Sequence, residues 1–322
     1  MKSALQYLFI GYLLSSILWS CETSEKVKFD STGKINQLLL VMEDKDWKGA
    51  LGDTVRKYFA RDVLVLPQRE PLFSINQIAP EVYDETFFIL RNILMIEKGA
   101  PAGLKVLHDE YAEPQIIVKI TGRDNKEISD ILNRKADSII KLFKDNDIAV
   151  LQSRFRKKDL TDDSKIREML GITIDLPNSF KKIVEKDGFF WYREDLPFGS
   201  KNILLYSVPK QPLESVAERI TKIRDSIGKK YIPGPLPETW MVTEKSFAPV
   251  QQRLHFNEMQ VIESRGLWEV ENDYMGGPYL NYIIPLDDKV VIAEGFIYLP
   301  SDEKRNMLTE LEAILKTVEP VR

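Results

Sequence analysis

The sequence predicts an α+β fold of predominantly antiparallel sheets with helices packed on them, arranged as two lobes, with a duplicated α/β unit as a variant of that plan. Three observations lead there. Many short apolar or alternating runs are stopped by Gly, Pro, Asn or Asp, as strands are. A few long stretches carry apolar residues at helical spacing, most regularly after Gly122. Near the C-terminus three long strand-like runs, residues 259–270, 279–285 and 289–299, follow one another across short turns, as antiparallel strands do.

In chain order, residues 38–42 read as a buried strand. Residues 46–60 follow as a helix, with Trp47, Leu51, Val55 and Tyr58 on one face. The run 63–66 ends at Pro67, and 72–78 alternates as a half-buried strand does until Pro80. Residues 81–91 read as a helix, 92–97 as a strand closed by the turn cluster 99–103, and 115–121 as another strand. The helix after Gly122 places Ile128, Ile131, Leu132, Ala136, Ile139, Ile140 and Phe143 on one buried face, and its other face reads as wet. A charge run at 154–163 marks either a domain boundary or the exposed end of that helix.

The second half opens with a strand at 172–176. A hairpin follows, 181–185 with 189–194, whose turn is Asp187-Gly188, a dipeptide that tolerates positive φ at both central positions. Residues 202–208 read as a strand and 213–227 as a helix, and Pro233, Pro235 and Pro237 make a rigid corner. A final helix over 303–318 buries Met307, Leu308, Leu311, Leu315 and Val318. Arg91-Asn92-Ile93-Leu94 and Lys201-Asn202-Ile203-Leu204 echo one another, which is the basis of the duplication variant.

The beginning of the chain carries its one assignable chemistry. Lys2 precedes an apolar run from Ala4 to Leu18. That run is shorter than the ~20 residues a membrane-spanning helix needs, so it reads as an export signal. Leu18, Trp19, Ser20 and Cys21 resemble a bacterial lipobox, in which the cysteine sulfur takes a diacylglyceryl group; Trp19 is larger than the pattern prefers. Cys21 is the sole cysteine, and lipidation resolves an otherwise unpaired thiol in an exported protein. A signal cleaved without lipidation and an uncleaved anchor are the alternatives. The expected organisation is a signal peptide (1–20), a flexible tether (21–34), and two α/β lobes (35–158 and 159–322).

Composition excludes some partners. Removing the signal takes one charge, Lys2, so the net charge goes from −4 to −5, with a pI near 5.6 and no basic stripe for nucleic acid. His108 and His255 stand far apart and no second thiol exists, so no metal site is expected; nor is a cofactor. Hydrolase and nucleotide-binding motifs are absent as written, and no catalytic residue is assigned.

The most unusual stretch is 265–282, where aromatic residues lie beside carboxylates and an arginine. Arg265, Trp268, Glu269, Glu271, Asp273 and Tyr274 form the candidate binding surface, suited to a sugar or peptide; the alternative is a hairpin whose aromatics are core. The run RGLWEVENDYMGGPY (265–279), with YIPGPLPETWMVTE (231–244) and RNILMIE (91–97), resembles a family of uncharacterised bacterial envelope lipoproteins classed as a domain of unknown function. That resemblance covers nearly the whole mature chain, implies a Gram-negative envelope protein and transfers no site residue. In element order the second half is also similar to PsbP-like and Mog1-like α/β/α sandwiches, a likeness of fold alone.

The sequence therefore points to an envelope protein held to a bacterial membrane by lipid on Cys21, expected at the outer membrane facing the periplasm. Its expected role is non-catalytic binding or assembly with an envelope protein or glycan partner. A carboxylate-dependent hydrolase of glycan or peptide, using Glu269, Glu271 or Asp273, and a carrier of an apolar ligand are the alternatives.

Overall fold

The computed structural model describes residues 28–256 and 259–321. The signal peptide, Cys21 and the first part of the tether lie outside the described residues. The architecture is α+β, with one larger antiparallel sheet, one smaller mixed sheet, and helices packed on both.

The smaller sheet contains β2 (Gln37–Val41), β3 (Ser74–Ile78), β4 (Asn92–Lys98), β5 (Gly103–His108) and β7 (Ile116–Gly122), in the order β3-β2-β4-β7-β5. The first four pair in parallel and β5 is antiparallel to β7. Parallel strands are buried on both faces, which explains the unbroken apolar runs. Leu38, Leu40, Leu94, Val118 and Ile120 face α2 (Ala50–Phe59) and α4 (Asn125–Arg156). Leu39, Val41, Ile93 and Ile117 face the other way, toward Tyr83, Phe87 and Leu90.

That second cover is not the helix expected over 81–91. Pro80–Val82 forms a 3-10 turn, and Asp84, in extended backbone, accepts the Thr86 amide at 2.9 Å and starts a separate single turn, α3 (Glu85–Phe88); α1 (Asp44–Trp47) is equally short. The expected tether is also corrected in its described part. β1 (Phe29–Asp30) pairs with β6 (Ala112–Glu113), and the amides of Ser31 and Thr32 donate to Glu113 and Ile89 at 3.0 and 2.8 Å, so residues 29–32 are fastened to the body.

The larger sheet comprises β9 (Lys181–Lys186), β10 (Phe189–Leu196), β11 (Gly199–Pro209), β12 (Met241–Thr243), β13 (Val250–Phe256), β14 (Met259–Val270), β15 (Gly276–Pro285) and β16 (Lys289–Tyr298). All its pairs are antiparallel, in the order β12-β14-β15-β16-β11-β10-β9, and β13 also pairs with β14. Asp187 and Gly188 both adopt positive φ at the β9–β10 turn, as the dipeptide predicts. A short β8 (Ile172–Thr173) pairs with β17 (Glu319–Pro320) beside this sheet.

Helices cover both faces of the larger sheet. On one face α5 (Ser164–Leu170) and α8 (Arg305–Leu315) bury Ile166, Leu170, Leu308, Leu311, Ile314 and Leu315 against Phe190, Ile203, Leu280 and Ala293. On the other, α6 (Leu213–Glu218) and α7 (Ile220–Tyr231) bury Val216, Ala217 and Ile220 against Leu204, Ile283 and Ile292. Gly228 is where α7 meets β12: a Cβ there would lie 1.9 Å from the Met241 carbonyl oxygen, so only glycine allows that approach.

The two sheets are joined through α4 and α8. Ile148 and Leu151 of α4 pack with Ala313 of α8 and with Ile35, and Gln152 donates to the Ala313 carbonyl at 3.0 Å. The N-terminus of α8 has no side-chain cap from its own flank. Instead the buried carboxylate of Glu70, 235 residues earlier than Arg305, accepts the amides of Lys304 and Arg305, both at 2.8 Å. Asn36 completes the junction, donating to Asn306 at 2.9 Å and to Thr309 at 3.0 Å.

Candidate functional site

The junction does not close completely. Between the 61–72 segment, α4, α8 and the β13–β14 pair lies a cavity of about 480 Å³, within the range of small-molecule sites. Leu72, Ile140, Ile148 and Leu308 make its apolar wall, and the exposed Leu64 and Val250 stand at its edge. Lys144, Glu263, Arg265, Arg305 and Glu312 supply its charge.

Each charged side chain arrives by a simple route. Lys144 lies on α4 in the stripe Lys144, Ile148, Leu151, Phe155, which is set at i, i+4 and i+3 intervals and turns toward α8. Glu263 and Arg265 are two apart on β14, so they share one face of the sheet. Glu312 is one turn beyond Leu308 on α8.

Together they form a network. The buried Glu263 accepts Arg265 Nε at 2.7 Å, a terminal Arg265 nitrogen at 2.9 Å, the Tyr282 hydroxyl at 2.9 Å and the Gln252 amide at 2.7 Å. Arg265 also reaches Glu312 at 2.9 Å, and Glu312 pairs with Lys316 at 2.7 Å. The Arg265 and Glu312 side chains keep 19% and 18% of their surface, and both line the cavity. Burial alone would raise the Glu312 pKa; Arg265 and Lys316 override it and hold the carboxyl well below its ordinary range.

Lys144 differs. Burial pulls its pKa down to about 8, against the attraction of Glu312 and Asp147. Its ammonium donates to the Asn36 side-chain oxygen and lies 5.2 Å from the centre of the Phe73 ring. The backbone amide of the same Asn36 donates to Asp147, which is fully buried and paired with Arg91 at 3.0 Å.

The six residues of the predicted binding surface divide. Arg265 is in this cavity wall. Trp268 is an odd number of residues further along β14 and therefore on the opposite face. There it is buried, donates to the Ile297 carbonyl at 3.1 Å and meets the Phe296 ring edge-on at 5.2 Å. With Trp191, Tyr298, Met241 and Met275 it lines a second, more open groove of about 460 Å³. Glu269, Asp273 and Tyr274 join Trp268 around a neighbouring depression of about 500 Å³; Tyr274 is fully exposed, and burial raises the Glu269 pKa. Glu271 is half-buried, borders none of these three cavities, and its backbone amide donates to the Trp240 carbonyl at 2.9 Å.

Four of the cavity's charges, Lys144, Glu263, Arg305 and Glu312, are not singled out by the sequence. The available signal was the continuation of apolar residues past Phe143, at Ile148, Leu151 and Phe155, which requires a second covered face on α4. No group of three or more metal-ligand side chains exists among the described residues.

Comparison with solved structures finds partial, remote similarity. A crystal structure from Bacteroides thetaiotaomicron VPI-5482 is 8% identical, with a TM-score of 0.29 over 48% of this chain and 46% of that one, so the match spans less than half the length of that protein. The solution structure of cyanobacterial PsbP (CyanoP) from Synechocystis sp. PCC 6803 is 9% identical, with a TM-score of 0.34 over 50% of this chain and 90% of that one. The crystal structure of human STARD10 is 12% identical, with a TM-score of 0.23 over 49% and 81%. No curated protein matches the sequence. Two family models do match, both described as domains of unknown function: DUF8532 over residues 31–156 and DUF4837 over residues 159–317.

Proposed function

We propose that this chain is an exported lipoprotein, held to the bacterial envelope through Cys21, whose body binds a small ligand in the cavity between its two sheets without carrying out chemistry on it. The state of the wall carboxylates carries this reading. Glu263 has four donors on its two oxygens, and Glu312 is held ionised by Arg265 and Lys316. Carboxylates so engaged organise a wall; a general acid or base needs a pKa near the working pH and a free path to the substrate. The apolar side of the same cavity favours the carrier form of the binding role, and the groove beside Trp268 offers a separate face for an envelope partner.

The lipobox resemblance of residues 18–21 supports the anchor, and no helix among the described residues is long and apolar enough to cross a membrane. Two or three acyl chains hold a protein stably where one is marginal. Cells producing the wild-type chain and fed labelled palmitate are expected to transfer label to it, whereas Cys21→Ser should carry none. Equal labelling of the two would end the lipoprotein reading.

A further inference from the structure

The charges of the cavity are not evenly matched, and this inference rests on the cavity being the ligand seat proposed above. Glu263 and Glu312 are balanced by Arg265 and Lys316. At the rim, Arg61 is paired with Asp137 at 3.0 Å and Asp62 with Arg69 at 3.7 Å. Lys144 and Arg305 remain. Among the described residues neither has a carboxylate within ion-pair distance. Lys144 donates to the amide oxygen of Asn36. Arg305 donates to the Pro71 carbonyl at 2.6 Å, the Ser74 hydroxyl at 3.0 Å and the Asn306 amide oxygen at 3.2 Å. All four acceptors are neutral. Asp147, Glu70 and Glu303 act on Arg305 only from further away, and Asp147 is already committed to Arg91.

Donor capacity is left over. An ammonium has three N–H groups and a guanidinium five, so Lys144 keeps two and Arg305 keeps one on each terminal nitrogen. Removing a cation from water without a counter-ion costs several kcal/mol, and here two such cations face one partly apolar space. With its pKa near 8, Lys144 is still largely charged at neutral pH. An anion in the cavity would engage both groups, while Ile140, Ile148 and Leu308 would cover an apolar body.

We propose that the cavity between the two sheets takes a small amphipathic organic anion, its carboxylate held by Lys144 and Arg305 and its hydrocarbon part laid against α4 and α8.

The test compares three compounds with one body and different heads: 4-phenylbutyrate, 4-phenylbutanol and 4-phenylbutylamine, with inorganic phosphate as a fourth. Each is titrated calorimetrically at pH 7 into the full lipidated chain in nanodiscs, with empty nanodiscs as the blank. Phenylbutyrate is expected to bind at least tenfold more tightly than the alcohol, and the amine and phosphate not to bind. Lys144→Met should weaken phenylbutyrate at least tenfold while leaving the unfolding transition cooperative, and Lys144→Gln takes its place if the methionine variant does not fold. Alcohol binding equal to phenylbutyrate, phosphate binding equal to it, or an unchanged affinity in both Lys144 variants would overturn the proposal while leaving the cavity a ligand seat. Failure of all four probes to bind would remove the seat itself, and this inference with it.

Discussion

Replacing Arg224 with methionine should destabilise the protein by about 3–5 kcal/mol, the cost of leaving one member of a buried ion pair without its partner. Arg224 and Glu294 are 2% and 0% exposed, so water cannot replace what the substitution removes. The pair is bidentate, with Nε and a terminal nitrogen each 2.7 Å from a different carboxylate oxygen. The remaining terminal nitrogen donates to Thr243 at 2.6 Å, and the guanidinium stacks 3.6 Å from the Tyr279 ring centre. In Arg224→Met, the side-chain donor left to Glu294 among the described residues is the Asn281 amide at 3.3 Å. The double variant Arg224→Met/Glu294→Leu removes both charges and should recover most of the loss, because two apolar groups of similar volume often pack as well as the pair they replace. Urea unfolding of the two singles and the double measures this. Additive losses in the double would show that the side chains act through packing and not as an ion pair.

Glu70→Ala should cost about 2–6 kcal/mol, since it strands two buried amides at the start of α8 at roughly 1–3 kcal/mol each. The effect should extend beyond stability. Arg305 is held by Pro71 and Ser74, one and four residues beyond Glu70 in the chain, so releasing the cap loosens one wall of the cavity and the contact between α4 and α8. Glu70→Gln retains one acceptor oxygen and should lose less than half as much. Hydrogen exchange would locate the change: the Lys304 and Arg305 amides should lose protection first. Unaltered protection there would mean that α8 is held by its apolar face alone.

Much of the fold could be read from local pattern. The face of α4 from Ile128 to Phe143 is buried as its spacing predicts, because a helix needs one apolar stripe to pack on a sheet. The Asp187-Gly188 turn and the long strands β14 to β16 were legible for the same reason: turn chemistry and alternation are local properties. Parallel pairing of β2, β3, β4 and β7 was not, since strand direction is set by crossovers and not by composition. β13 has no such local signal: among the described residues it pairs with β14 alone and keeps Gln251, Gln252 and Arg253 exposed, so it lacks the apolar run of a central strand.

The site was legible in fragments. Arg265 stood out beside unusual neighbours, but its partner Glu312 on α8 and Lys144 of the same cavity wall on α4 are distant in sequence, and only its partner Glu263 lies close by on β14. Trp268 was grouped with Arg265 because they are close in the chain. The two-residue period of a strand already requires that residues three apart point to opposite faces, so that separation was available from spacing alone. The Glu70 cap had no sequence signal, because a capping box looks only three residues along.

The central claim, that the space between the two sheets is a ligand seat, is tested most directly by methyl NMR on chain labelled at Ile, Leu and Met and titrated with 4-phenylbutyrate. The predicted result is a set of saturable shifts at Ile140, Ile148 and Leu308 around the cavity, with Met241 and Met275 of the Trp268 groove unmoved. Shifts confined to Met241 and Met275, with Ile140, Ile148 and Leu308 unchanged at saturation, would contradict it.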